Sequence, residues 1–162
     1  NSPTTNRSES MHEFYLDFNA QLIHMFLTIK RYRGDLKLLQ QSLHLQSSVF
    51  QESLKKLEAA GLVSITSDDI TVNNDNFHLS PTSPMYPTYR MQMRLQALNQ
   101  MQRQAENDQY SFSVLFSSND NAKRKIQTDF LKFIDRAQKD SQTGKTDDVY
   151  QINFDLLKWS NK

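Results

Sequence analysis

A chain of 162 residues that is 37% hydrophobic, with ten phenylalanines, is long and apolar enough to bury one compact core, alone or with a small attached subdomain. Its formal net charge is only +1, which excludes the strong global field of a protein that coats nucleic acid, so any such role must come from a local patch. It contains no cysteine, which excludes disulfides, thiolate metal sites and cysteine nucleophiles. The longest apolar run, residues 22–29, is too short to span a bilayer, and no signal segment opens the chain, so we expect a cytoplasmic protein without a membrane partner.

Residues 1–10, with the sequence NSPTTNRSES, are polar, and we expect a disordered tail or a linker from an upstream region. Apolar side chains then recur at spacings of three and four, which predicts one amphipathic helix over about residues 13–30. Asp35 is placed to cap a second, shorter helix that runs to Leu43. Residues 44–46 form a turn into a third helix.

The stretch SSVFQESLKKLEAAGLV predicts this third helix together with both of its ends. Ser48 and Gln51 have the spacing of a capping box, which begins a helix, and Gly61 can take the left-handed conformation that ends one. Residues 63–66 and 70–72 flank a polar turn and predict a β-hairpin. Three helices followed by a hairpin are the arrangement of a winged helix, which we predict for residues 11–72.

Residues 73–87 are rich in asparagine, serine and proline and predict a surface loop between two parts of the chain. The second part, residues 88–162, begins with a glutamine-rich helix over about residues 88–107. The apolar side chains of this helix form a narrow stripe: Met91, Leu95, Leu98, Met101 and Ala105.

Beyond this helix, residues 110–116 alternate aromatic and small side chains, which predicts a strand with one buried face. A helix follows, capped by Ser118 or Asn119, and residues 150–156 alternate as a second strand. The two strands can be parallel neighbours joined by a crossover helix or members of an antiparallel sheet, and the sequence leaves both open. The predicted fold class is α+β: a winged helix followed by a helix and a strand-helix-strand subdomain.

The segments FYLDFNAQLIHMF, ESLKKLEAAGLV, YRMQMRLQALNQM, YSFSVLF and VYQINFDLL, in this order, resemble an uncharacterised bacterial family of predicted transcriptional regulators. In that family a domain of unknown function follows an N-terminal helix-turn-helix. The resemblance extends over residues 11–160, and residues 149–153 are its most specific piece. It implies a regulatory role and no known chemistry. Asp17-Phe18 departs from the tryptophan-tyrosine pair usual in the family, and residues 156–158 depart from its phenylalanine-proline-leucine.

The candidate DNA site follows from the predicted third helix. If that helix enters a major groove, the side chains away from its apolar stripe face the bases, and glutamine, serine and lysine are suited to base edges and phosphates. Glu52 argues against DNA contact, because its carboxylate repels phosphate, although it can accept a hydrogen bond from cytosine. The predicted base-facing residues are Ser47, Ser48, Gln51, Glu52 and Lys55, and the predicted phosphate contacts are Lys30, Arg31, Arg33 and Lys37.

Other motifs have plainer interpretations. A basic strip from Lys123 to Arg136 is interpreted as a solvated helix face, and the aromatic face of residues 110–116 as core or a dimer surface, in preference to a base-stacking platform. The four histidines, His12, His24, His44 and His78, lack metal-ligand spacing. Gly144-Lys145-Thr146 lacks the earlier glycine of a phosphate loop. We therefore expect no enzyme activity, no cofactor and no metal site.

Two functions remain open from the sequence. The first is a transcription-regulator domain that contacts double-stranded DNA through a winged helix and uses its C-terminal part for dimerisation or signal reception. The second is a non-catalytic protein-protein interaction or dimerisation domain on a winged-helix scaffold, with the surface loop, the glutamine-rich helix or a strand edge as the docking element. A homodimer is expected in the first because two-fold readers match palindromic sites.

Overall fold

The computed structural model describes residues 3–66, 69–73 and 79–160, without the side chains of residues 3–7. It is mostly helical, with a small two-stranded antiparallel sheet, which agrees with the predicted α+β class. In chain order its elements are α1 (Pro3–Leu16), α2 (Phe18–Leu27), α3 (Lys30–Arg33), α4 (Leu36–Ser42), α5 (Ser47–Ala59), β1 (Val63–Ile65), β2 (Ile70–Val72), α6 (Tyr86–Arg103), a 3-10 turn (Glu106–Asp108) and α7 (Asp120–Ser141). No helix in these described ranges is long and apolar enough to cross a membrane.

The chain forms two compact units. The helical unit comprises Asn1–Arg103 with Asp148–Tyr150, and the C-terminal unit comprises Gln104–Asp147 with Gln151–Lys162. The division after Arg103 lies beyond the composition change at residue 73, because α6 packs on α1 and α2 and so belongs to the helical unit.

The predicted single helix over residues 13–30 is wrong, because Asp17 interrupts it. The backbone of Asp17 is extended (φ −110°, ψ 98°), and its carboxylate accepts a hydrogen bond from the Ala20 N–H at 3.1 Å, which caps α2. The apolar spacing continues across this break, so the sequence pattern does not reveal it. Before the break, α1 also includes most of residues 1–10, the stretch whose composition predicts a tail.

The two-helix corner that leads into α5 is built from local hydrogen bonds. Asp35 caps α4 by accepting from the Leu38 N–H at 2.9 Å, which confirms the prediction. At the other end of α4, His44 takes a left-handed conformation (φ 52°), and the N–H groups of His44 and Leu45 donate to Gln41 O and Gln40 O at 3.0 and 3.2 Å. This pair of bonds is a Schellman motif without glycine. It turns the chain sharply from α4 into α5.

The predicted start of α5 is wrong and its predicted end is confirmed. Gln46 is the N-cap and makes no side-chain cap hydrogen bond, so Ser48 and Gln51 do not form the predicted capping box. At the C-terminus Gly61 is left-handed (φ 71°), its N–H donates to Glu58 O at 2.8 Å, and the Leu62 N–H donates to Leu57 O at 2.9 Å. These two bonds form a second Schellman motif. Leu62 is buried as a result.

The predicted hairpin is confirmed. β1 and β2 pair antiparallel with Val63 opposite Val72 and Ile65 opposite Ile70. The predicted turn residues 67 and 68 lie outside the described residues. Asn73 ties the hairpin to the end of α5, because its N–H donates to Leu62 O at 2.9 Å and its Nδ2 donates to Gly61 O at 3.2 Å.

One apolar core holds the helical unit together, with α2 packed on α5 at its centre and α1 against both. His24 lies within this core, edge-on to Phe14 at 6.1 Å between ring centroids. It is therefore a core residue. The buried apolar residues are Phe14, Ala20, Ile23, Phe26, Leu27, Ile29, Tyr32, Leu39, Phe50, Leu54, Leu57, Ala60, Leu62, Val63 and Ile70.

The apolar stripe of α6 does not face the core. α6 packs on α1 through an edge-to-face contact of Tyr89 with Tyr15 (5.9 Å between centroids) and a hydrogen bond from Gln92 Nε2 to Leu16 O at 2.9 Å. These two side chains set the inward face. The predicted stripe lies on the other side: Met91, Leu95 and Leu98 are each 55% exposed, and Met101 and Ala105 are also exposed.

In the C-terminal unit, Asn119 caps α7 by accepting from the N–H groups of Asn121 and Ala122, both at 3.0 Å, which confirms one of the two predicted caps. The two predicted strands are not formed. Residues 109–119 and 145–160, all of them described, run without helix, turn, bend or strand pairing. A β-strand needs a partner strand for its ladder, and the described residues show no strand pairing of these two segments.

Asp17 also joins α2 to α5. While Oδ1 caps α2, Oδ2 accepts from Lys56 Nζ at 2.9 Å and from Ser53 Oγ at 3.3 Å. Ser53 is buried and the two charged side chains are largely covered, so water competes little for these bonds. The carboxylate therefore sets both the first turn of α2 and the position of α5 on it.

We expect Asp17→Ala to lower the free energy of unfolding by about 2–3 kcal/mol, because it removes a helix cap and a half-buried ion pair together. Asp17→Asn keeps a capping oxygen and should lose only about 1 kcal/mol. Asp35→Ala is the matched control, since it removes a cap without an ion pair, and should also lose about 1 kcal/mol. Urea denaturation followed by circular dichroism measures all three; equal losses for Asp17→Ala and Asp35→Ala would contradict the double role.

Candidate nucleic-acid interface

The outward face of α5 brings together the residues predicted to contact bases. Phe50, Leu54 and Leu57 are buried and determine which side of the helix faces the core. The predicted residues lie on the opposite side, at positions one and four apart along the helix, and all are exposed: Ser47, Ser48, Gln51, Glu52 and Lys55. The helix follows the tight turn at His44 and precedes the hairpin, so this face is free of cover from the helical unit.

Glu52 is not an isolated charge on this face. Its carboxylate pairs with Lys56 Nζ at 3.0 Å, one turn further along the helix. The hydrogen bond to Asp17 raises the pKa of Lys56, the bond to Glu52 adds to the rise, and partial burial opposes it. Lys56 therefore stays protonated between two carboxylates and offsets part of the repulsion that Glu52 would exert on a phosphate.

The predicted phosphate contacts lie on other elements. Lys30, Arg31 and Arg33 are on α3 and Lys37 is on α4; Arg33 is half-buried and the others are exposed. The Arg31 guanidinium lies over the Tyr32 ring, 4.5 Å from its centroid, and donates to the Tyr32 hydroxyl at 2.8 Å. α3 packs mainly on α2 and α4, whereas α5 packs mainly on α1, α2 and β1. The residues predicted to contact bases thus lie on one surface of α5, whereas the residues predicted to contact phosphates lie on α3 and α4.

The hairpin next to α5 offers hydroxyl groups and no cation. The sequence of residues 63–73 contains no lysine or arginine, and the exposed side chains include Ser64, Thr66 and Thr71. Thr66 and Asp69 close the hairpin, because the Thr66 N–H donates to Asp69 O at 2.9 Å and the Asp69 N–H donates to Thr66 Oγ1 at 3.1 Å. A phosphate contact from the hairpin would have to use neutral donors.

A family model described as a domain of unknown function, DUF4423, matches residues 5–158. The chain belongs to the DUF4423 family. The match includes residues of both compact units, so the DUF4423 domain of this chain consists of the helical unit and the C-terminal unit together. A search of curated proteins and a search of solved structures each gave no match.

The residues that position α5 in this DUF4423 domain escaped sequence reasoning. Ser53 and Lys56 lie 36 and 39 positions from Asp17, so no local spacing connects them. A weak signal exists at Ser53, because it lies between Phe50 and Leu57 on the side of the helix that carries the apolar stripe, and a polar group buried there needs a hydrogen-bond partner. Identifying that partner as Asp17 requires the packing of α5 on α2.

The ion pair of Lys56 should weaken in alkaline solution. Its folded pKa is raised, so the stabilisation is complete below about pH 10.4, where the unfolded lysine begins to lose its proton, and is lost as the pH rises through the folded value. Lys56→Arg stays charged throughout. Between pH 9 and 12 we expect the wild-type protein to lose on the order of 0.5–1 kcal/mol more stability than Lys56→Arg.

The matched measurement is urea denaturation of both proteins across that range. Tyr15 and Tyr89, whose pKa values burial raises, add the same alkaline loss to each protein and cancel in the difference. Parallel stability curves for the two proteins would show that Lys56 contributes no ion-pair stabilisation.

Proposed function

We propose that this chain is a DNA-contacting domain of a transcriptional regulator, in which α4, α5 and the β1-β2 hairpin act as a winged helix and α5 enters the major groove. The observation that supports this most is the outward face of α5, where Ser47, Gln51 and Lys55 are exposed while the opposite face is locked into the core. A recognition helix needs both properties, because its base-reading side chains must be free and its orientation must be rigid.

The chemistry of the face suits base reading. The Gln51 amide can donate to and accept from adenine at N6 and N7, the serine hydroxyls suit several base edges, and Lys55 can reach guanine or a phosphate. Glu52 can accept from cytosine N4, and its pairing with Lys56 lessens its repulsion of the backbone. We assign no base-reading role to Lys56, since Asp17 holds it towards α2.

The few cations near α5 imply DNA binding of modest affinity. Arg31 is held by Tyr32 and Lys56 is held by Asp17, so the other exposed or half-exposed cations of α3, α4 and α5 are Lys30, Arg33, Lys37 and Lys55. The net charge of the chain is only +1. Binding in this proposal relies on few released counterions and on base contacts, and it therefore tolerates salt better than binding by a strongly basic domain.

For one copy on a duplex selected from a random pool, we expect log K against log salt to have a slope of about −3 to −4, from roughly 0.9 per phosphate contact. Lys55→Ala should make the slope shallower by about 1 and weaken binding several-fold. Fluorescence anisotropy measures both. Lys123→Ala is the control, because Lys123 is equally exposed but lies on α7; identical effects of the two substitutions would refute a specific role for α5.

We expect Glu52→Gln to strengthen DNA binding several-fold, because it removes a negative charge beside the bound phosphates. The loss of its surface pair with Lys56 should lower stability by only about 0.3–0.5 kcal/mol. Glu13→Gln on α1 changes the net charge equally and should leave affinity unchanged. Anisotropy titrations of the three proteins at one salt concentration decide this: if Glu52→Gln binds no more tightly than wild type, α5 does not lie against a phosphate backbone.

A second candidate is a protein-interaction domain on the same scaffold. The observation in its favour is the exposed apolar stripe of α6, where Met91, Leu95 and Leu98 face away from the core and Tyr89 faces α1. In this version the protein captures a partner in the absence of nucleic acid. Leu95→Asp would then abolish capture and Lys55→Ala would leave it unchanged, whereas the DNA-contacting domain predicts the reverse for duplex binding.

A further inference from the structure

Residues 110–117 of the C-terminal unit, with the sequence YSFSVLFS, have the side-chain alternation of a strand but no backbone partner in the described chain. The chain there has no helix, turn or bend, and no backbone hydrogen bond of these residues occurs within the described chain. An extended segment of this kind presents a row of unpaired N–H and C=O groups, which readily pair with another strand. It contains no proline and no charged residue to block such pairing.

One face of this segment is apolar and exposed. Tyr110, Phe112, Val114 and Phe116 alternate with smaller, mainly serine side chains and are 92%, 75%, 58% and 52% exposed. Contiguous exposed aromatic surface of this kind marks an interaction site. The other face carries Ser111, Ser113 and Ser117 together with Leu115, so it is mainly polar, as in an antiparallel sheet with one side in water.

The segment is complementary to itself. If two copies pair antiparallel about a two-fold axis at Ser113, Tyr110 lies opposite Phe116 of the second copy and Phe112 lies opposite its Val114. All four residues of the apolar face then have an apolar cross-strand partner. If the register is shifted by two residues in either direction, one of the four lacks such a partner. Because the segment is uncharged, the symmetric pairing brings no like charges together. A foreign partner would have to reproduce this pattern, whereas a second copy carries it already.

Pairing also covers apolar surface. In an antiparallel pair the side chains on one face lie beside their cross-strand partners, so Tyr110 packs against Phe116 of the second copy and Phe112 packs against its Val114. The symmetric pair contains four such contacts, and each involves an aromatic side chain.

We propose that the C-terminal unit is a homodimerisation module in which residues 110–117 of two copies pair as antiparallel strands about a two-fold axis at Ser113. The inference deepens the proposed regulatory function by naming the partner of its C-terminal unit, because a two-fold dimer presents two copies of α5 to a palindromic site. The pairing itself requires no DNA, so it is tested without DNA.

The absence of cysteine from the natural chain makes the register directly testable. In Ser113→Cys the two thiols face each other across the axis, and directly opposite residues in antiparallel strands have Cα atoms about 4.5–5.5 Å apart, within the range of a disulfide. Mild oxidation of the full chain should therefore give a covalent dimer on a non-reducing gel. Ser111→Cys is the matched control on the same face; it lies opposite Leu115, with its own copies on the order of 14 Å apart, and should stay monomeric on the gel.

A second measurement tests the apolar face. Phe112→Asp should weaken the dimer by at least about 10-fold in sedimentation equilibrium, because both Phe112–Val114 contacts are lost and a charge enters the apolar face of each copy. Ser111→Asp on the water-facing side should leave it within a few-fold of wild type. Circular dichroism checks that the helices persist in each variant. Phe112 is exposed in a single copy, so its replacement should not unfold the chain.

Three outcomes would overturn the proposal: a monomeric wild-type chain at tens of micromolar, equal cross-linking of Ser111→Cys and Ser113→Cys, or a dimer that Leu95→Asp dissolves and Phe112→Asp does not. The last would place the interface on α6. A chain that dimerises as predicted but fails to bind duplex DNA would refute the proposed function alone and leave the dimer intact.

Discussion

The arrangement of the helical unit depends on one carboxylate that makes two kinds of contact. Asp17 ends the continuity of α1 and α2 by capping α2, and the same side chain accepts from Ser53 and Lys56 on α5. The apolar faces of α2 and α5 supply most of the stabilisation, but apolar contact is non-directional. The directional bonds of Asp17 select one rotation of α5 on α2. That rotation leaves Gln51 and Lys55 in solvent.

The same interaction shapes the electrostatics of the α5 surface. Lys56 pairs with Asp17 and also with Glu52. One lysine therefore connects the contact between α2 and α5 to a side chain of the candidate DNA interface. Among the described residues of this surface, Lys55 makes no ion pair, Glu52 is paired with Lys56, and Ser47, Ser48 and Gln51 are neutral. Such a surface suits discrimination between bases more than strong attraction to phosphate, because base contacts carry sequence information and phosphate contacts carry most of the affinity.

The two units differ in how much of their apolar surface is buried within one copy of the chain. The helical unit has one contiguous core, whereas no described residue of the C-terminal unit is buried, although the unit carries aromatic side chains in regular alternation. An unfolded or purely solvated segment would not need that alternation. In the proposed homodimer, a second copy supplies the strand partner that residues 110–117 lack within the described chain.

By itself, the sequence determined several features whose hydrogen bonds connect near neighbours: the cap of α4 at Asp35, the end of α5 at Gly61 and the hairpin that follows it. It limited the cap of α7 to Ser118 or Asn119, but it placed the start of α5 wrongly at Ser48. It also identified the exposed residues of α5, because a buried stripe implies the opposite face. Only the tertiary structure decided the break at Asp17, the outward direction of the α6 stripe and the unpaired state of residues 110–117. In each of these cases the side chain or strand that decides the structure lies on a distant element, or is lacking within one copy. Periodicity shows that a residue can be buried or paired, but it does not identify the surface that buries the residue or the strand that pairs with it.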